Sequence, residues 1–129
     1  QGPSISAPAE IPFKEFMVDG WVIWVGKSAK NNDLLTLKYA KKFDLWLHAR
    51  DVAGSHVIIR NPNQQKVPDY IIEKAAGLAA YFSKRQTDSL CPVIVTPKKY
   101  VRKTKDLLVG QMIVDREEEV VLVKPELIE

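Results

Sequence analysis

Thiol chemistry is nearly absent from this 129-residue chain, which has one cysteine, Cys91. No internal disulfide can form, and Cys91, set in an apolar strand-like run, reads as a buried structural thiol of a reducing compartment such as the cytoplasm. No apolar run approaches the ~20 residues that a membrane span requires. The opening residues are polar and proline-containing and carry no secretory signal. There are no repeats and no low-complexity tracts. Nucleotide triphosphate binding is unsupported, because Gly26-Lys27-Ser28 is preceded five residues earlier by Trp21, not by the glycine of a phosphate-binding loop. The two histidines, His48 and His56, stand in no HExxH spacing, and no GxSxG occurs.

What is present is enough for one domain with a genuine core: 46% hydrophobic residues and 27% charged. Gln1–Ser4 reads as the remnant of a cleavable tag and residues 5–12, with Pro8 and Pro12, as a linker, leaving 13–129 as the domain. The net charge of +3 is small but unevenly spread. Residues 98–105, KKYVRKTK, hold five basic residues in eight, whereas 115–129 hold six acids against Arg116 and Lys124. That asymmetry predicts a basic face, suited to a nucleic-acid backbone or an acidic protein, and a solvated acidic edge. No basic amphipathic helix accompanies it, which disfavours a membrane surface.

Phe13–Val18 and Trp21–Val25 read as strands joined by Asp19-Gly20, a strong hairpin signal. A helix capped by Asn31, Asn32 or Asp33 is predicted to run to about Lys42. Asp44–Arg50 and Ser55–Asn61 form a second strand pair, with Gly54 expected to supply a positive backbone angle at the turn. Pro68 opens the main helix, in which Ile71, Ala75, Leu78 and Phe82 recur at helical spacing. Its AAGLAA run predicts close packing of another element at Gly77. Pro92–Thr96, Tyr100–Arg102, Met112–Asp115 and Val120–Val123 read as short strands, with residues 116–119 as the charged turn of a final hairpin. In outline the order is ββ-α-ββ-α-βββ. It implies an α+β fold with a curved, largely antiparallel sheet and two helices.

Functional side chains concentrate in DLWLHARDVAGSHVIIR at 44–60. Alternation sends Leu45, Leu47 and Ala49 to one face, and Trp46, His48 and Arg50 to the other. An aromatic, an imidazole and a guanidinium on one face suit an anionic or planar ligand, with Asp51, Ser55 and His56 at the turn. Alternatively, Trp46 packs in a second core layer and the polar groups tie down neighbouring loops. The turn GKSAKNND presents Lys27, Lys30 and Asn32 at a helix start. In the third cluster Lys98, Lys99, Arg102 and Lys103 surround Tyr100. Regular alternation there would put Tyr100 and Arg102 on one face and Lys99, Val101 and Lys103 on the other. Basic charge interleaved with an aromatic is a pattern for unpaired nucleic acid, and equally for an edge strand protected by lysines.

These segments, DGWVIWVGKSAKNND, LLTLKYAKKFDLWLHARD, GSHVIIRN, AAGLAAYFSK and KKYVRK, occur in an order that resembles the NFACT-R family of RNA-binding modules. The resemblance runs from about Phe13 to Pro125. It implies an RNA-binding, non-catalytic domain without cofactor or metal. It further implies partners in transfer RNA, large-subunit ribosomal RNA and the other domains of a longer protein that acts in ribosome quality control of stalled nascent chains. On that resemblance Lys27, Lys30, Arg50, Lys98, Lys99, Arg102 and Lys103 hold phosphates, and Trp46, His48, His56 and Tyr100 read shape or bases. Two departures stand out: Ala53 where proline is frequent, and Thr104, Lys105 and Asp106 where proline and glycine are common. Two rival readings have their own requirements. An RNA-processing enzyme needs His48 and His56 to converge with a carboxylate, Asp44 or Asp51, around a metal, or needs a Ser55-His48-Asp44 triad. A protein-interaction module needs only the basic face.

Overall fold

A computed structural model describes residues 11–128, so the tag-and-linker reading of the first ten residues lies outside them. Eight strands and two helices follow the predicted α+β order, with four strands after the second helix where the outline has three. Strands β1 (Phe13–Val18) and β2 (Trp21–Gly26) form the expected hairpin. Its turn places both Asp19 (φ 49°) and Gly20 (φ 84°) in the left-handed region, the type I′ geometry that matches strand twist. Strands β3 (Leu45–Ala49), β4 (Val57–Ile59), β5 (Cys91–Pro97) and β8 (Glu119–Val123) complete an antiparallel sheet of order β1-β2-β4-β3-β5-β8.

Both faces of the sheet are covered, and alternation decides which residue serves which layer. Ile23, Val25, Leu47, Ala49, Val57, Ile59, Val93 and Val95 pack under helix α2 (Asp69–Tyr81), with its Ile71, Ala75 and Leu78. Trp46, Ile58 and Ile94 face the other way, together with Phe13, Leu35 and Val101. Trp46 is thus a core residue of a second layer, 3% exposed. The small-residue surface of α2 is used as expected: Glu126 N donates to the Gly77 carbonyl at 3.1 Å, and the chain at 124–126 lies against it.

Three local expectations are corrected. Helix α1 covers only Ala29–Leu34, capped by Ser28, whose Oγ accepts from Asn31 N; a π-helical turn, Leu35–Tyr39, then ends it before Lys42. The serine is the better cap because its side chain reaches the first free amides, while Asn32 is buried and used elsewhere. Lys98–Tyr100 forms a 3-10 turn before β6 (Val101–Arg102), so strand alternation does not govern the basic cluster. The final hairpin is absent. β7 (Ile113–Val114) pairs with β6 in a separate two-stranded sheet, whereas β8 pairs with β5. Met112 and Val114 bury against the Trp46 layer, so residues 115–118 carry the chain from one sheet to the other.

Candidate functional site

His48 and His56 do share a face, their rings 5.6 Å apart and edge-on. Trp46 stacks on His48 at 5.6 Å, with 16° between the planes, and meets His56 edge-on at 5.2 Å. The chemistry of this trio is set by Thr36, 0% exposed. His56 Nε2 lies 3.0 Å from the Gly110 carbonyl, which can only accept, so Nε2 carries the proton. Nδ1 of the neutral ring then accepts from the Thr36 hydroxyl at 2.7 Å, and Thr36 Oγ1 in turn accepts from the Trp46 indole N–H at 3.2 Å. Burial, with the neighbouring His48 second, lowers the His56 pKa to about 3 against the opposing bond from Gly110. His48 is also lowered, by burial first, against the opposing influence of the Gly54 and Ala49 backbone.

Asn32, 5% exposed, completes the brace. Its Oδ1 accepts from His56 N at 3.0 Å and its Nδ2 donates to the Gly54 carbonyl at 3.3 Å. Ser55 Oγ donates to the Gly26 carbonyl at 2.8 Å. Gly26 is obligatory here, because a Cβ would overlap Asn32 Oδ1. Gly54 is needed for a different reason from the one predicted: its φ is not positive, and Asp51 (φ 60°) makes the left-handed turn instead. A Cβ at Gly54 would come within 2.7 Å of Ser83 Cβ, across the bridge that ties this loop to the end of α2. Trp46, His56, Asn32 and Ser55 therefore brace the site through internal bonds. Half-buried His48 forms the floor of a cleft of about 1150 Å³ between the 51–55 loop, the end of α2 and the 107–112 loop.

The basic residues divide into two groups. Arg50 lies 3.6 Å from Glu117 and 3.9 Å from Asp51; Arg102 bonds Asp115 at 2.9 Å. Lys103 donates to the Leu108 and Gln111 carbonyls and pairs with Asp33 at 3.4 Å, fastening the 104–111 loop. Gly110 N donates to the same Asp33, so this loop keeps a docked shape despite its departures in sequence. Lys27 and Lys30 stand exposed beside the α1 cap. By contrast, among the described residues, Lys42, Lys98, Lys99 and Arg116 pair with no carboxylate. Lys42 lies 5.0 Å and Lys99 5.4 Å over the Phe43 ring, while Lys99 (5.2 Å) and Arg116 (5.5 Å) flank Tyr100. The result is a ladder of cations and rings, Lys42–Phe43–Lys99–Tyr100–Arg116. Sequence reasoning missed Lys42, Phe43 and Arg116. The signal was a repeated triplet, Lys-Lys-Phe at 41–43 and Lys-Lys-Tyr at 98–100, joined here by Lys99 N to Lys42 O (3.0 Å) and Lys98 N to Asp44 O (2.8 Å).

The Ser55-His48-Asp44 triad loses its carboxylate. Asp44, 1% exposed, accepts from Arg60 Nε, Lys41 N and Asn61 N, a structural knot that no histidine shares. Among the described residues no three His, Cys, Asp or Glu side chains gather as metal ligands. Both His56 nitrogens are already bonded, so a metal or a proton relay there would have to break the brace.

Residues 12–116 match the family model described as the NFACT protein RNA binding domain. The chain belongs to this family. The Rqc2 homolog RqcH of Bacillus subtilis is 42% identical over 86 residues, 65% of this chain and 14% of that protein. The ribosome quality control complex subunit NEMF homolog of Drosophila melanogaster is 28% identical over 65 residues, half of this chain and 7% of the relative. A solved structure, the C-terminal part of the fibronectin/fibrinogen-binding protein from Streptococcus suis, superposes with a TM-score of 0.81 and 37% identity. That match covers 91% of this chain and 46% of the other. This NFACT-type chain thus spans only a small part of these two curated relatives. No helix among its described residues is long and apolar enough to cross a membrane.

Proposed function

We propose that this domain is a non-catalytic RNA-binding module of ribosome quality control, contacting transfer RNA or large-subunit ribosomal RNA when stalled nascent chains are handled. The observation that carries the reading is the cation ladder. Lys42, Lys99 and Arg116 gather around two aromatic rings, with Lys98 beside Lys99 in the 98–100 turn, and among the described residues none of the four has a carboxylate partner. Cations already neutralised by a fixed acid gain little from a phosphate, whereas these four release counterions when one arrives. Membership in an RNA-binding family and a relative named for ribosome quality control support the same reading. In this account Arg50, Arg102 and Lys103 mainly hold loops, and Lys27 and Lys30 add charge at the periphery.

The test is a titration of the domain with transfer RNA and an equal-length DNA duplex over several salt concentrations. Binding to RNA that weakens with a multi-ion salt slope, and is weaker for the duplex, is the expected result. Absence of binding at low salt would sink the reading for this domain and turn attention to an acidic protein partner.

A further inference from the structure

The cleft over His48 and the cation ladder are neighbours. Val114 and Glu117 line the cleft, while Arg116, between them in the chain, stands on the ladder beside Tyr100. Asp115 N donates to the Tyr100 carbonyl at 2.8 Å, so the two surfaces are fixed to one backbone. Their chemistries differ. The ladder offers charge; the cleft offers apolar walls, with Tyr81 and Phe82 from the end of α2 facing Leu108 and Val109 of the opposite loop. Leu108 and Val109 are 70% and 60% exposed, a conspicuous apolar rim beside so much charge. Phosphate binding alone gives no use for such walls.

A strand whose phosphates lie on the ladder carries its bases within reach of this cleft. An unpaired base has two apolar faces to bury and polar edges to satisfy, whereas a paired base has its faces stacked and its pairing edge occupied. The floor is suited to the edge. The His48 ring is backed by the Trp46 indole, itself held by Thr36, and the 51–55 loop beside it is held by Asn32 and by the bridge to Ser83. Such a site is formed before the ligand arrives and loses little freedom on binding. We infer that the cleft seats one unpaired nucleobase of the bound RNA, with His48 hydrogen-bonding its edge and Leu108 and Val109 covering a face. This rests on the RNA-binding reading above and adds to it a preference for bulged or single-stranded nucleotides.

The test uses three RNA hairpins that share one stem: fully paired, with a single bulged nucleotide, and with an abasic residue at the bulge. The abasic hairpin keeps every phosphate and lacks only the base. The domain is expected to bind the bulged hairpin about tenfold more tightly than the abasic one, the range of a single stacked base. His48→Ala should erase that difference without weakening binding to the abasic hairpin or changing the salt slope. The surface double variant Leu108→Ser with Val109→Ser, which removes only exposed apolar groups, should reduce it likewise. Equal affinity for the bulged and abasic hairpins, with a steep salt slope retained, overturns the base-binding cleft and leaves backbone binding standing. A cleft that takes a peptide or a second copy of the chain gives this same equality. No binding of any hairpin at low salt is instead the failure of the RNA reading itself.

Discussion

Thr36 holds the site together with one hydroxyl, which accepts from the Trp46 indole and donates to His56. Replacing it by valine keeps the shape and strands a buried N–H and a buried ring nitrogen. Thr36→Val should therefore cost about 1–3 kcal/mol in urea denaturation. An unchanged midpoint would show that the chain of bonds is not needed. The neutral His56 gives a second expectation. Its pKa in the fold is about 3, below the ordinary 6.5, so between those values the unfolded chain binds more protons than the native one. Stability is complete above about pH 6.5 and declines as pH falls toward about 3; His48, lowered in the same direction, adds to the decline. Melting temperatures followed from pH 7 to pH 4 should fall steadily, and a flat profile contradicts the buried neutral imidazole. None of this was readable from composition. Strand alternation placed Trp46 and His48 together, but Thr36 comes from a π-helical turn with no sequence signature, and the His56 partner Gly110 lies 54 residues away.

At the scale of the element, the parts with strong local periodicity were legible. The Asp19-Gly20 hairpin and helix α2 stand where turn chemistry and the spacing of Ile71, Ala75 and Leu78 put them. Leu78, 0% exposed beneath the sheet, should cost about 2–5 kcal/mol on change to alanine, measured by chemical denaturation. The short elements were not legible, because tertiary contacts decide them. The segment 112–114 is claimed by the Trp46 layer instead of the main sheet, and the 98–100 turn is fixed by bonds to Lys42 and Asp44. The 104–111 loop is held by Asp33, which accepts from Gly110 N at 3.1 Å and pairs with Lys103. Asp33→Ala should speed amide exchange across residues 107–111 while sparing α2. Uniform protection in the variant would contradict that anchor.

At the scale of the whole molecule, the charge asymmetry visible in the sequence is real but subdivided. The acidic stretch neutralises Arg50 and Arg102 through Glu117 and Asp115, and contributes Arg116 to the basic ladder. The total charge thus says little about where RNA would lie; the pairing of each cation says more. Sequence alone could count basic residues but not tell an arginine held by an acid from a lysine that is not. The most direct measurement compares two charge-matched variants in salt-dependent titrations against transfer RNA. One removes Lys42, Lys98, Lys99 and Arg116; the other removes Arg50, Arg85, Arg102 and Lys103, each paired with an acid. Each phosphate no longer neutralised lowers the salt slope by about 0.7–0.9, so the ladder variant, four contacts short, should drop by about 3 in slope and lose most of its affinity. The second variant should stay close to wild type. An equal loss in both would mean that diffuse charge, and not the Phe43–Tyr100 ladder, attracts the RNA.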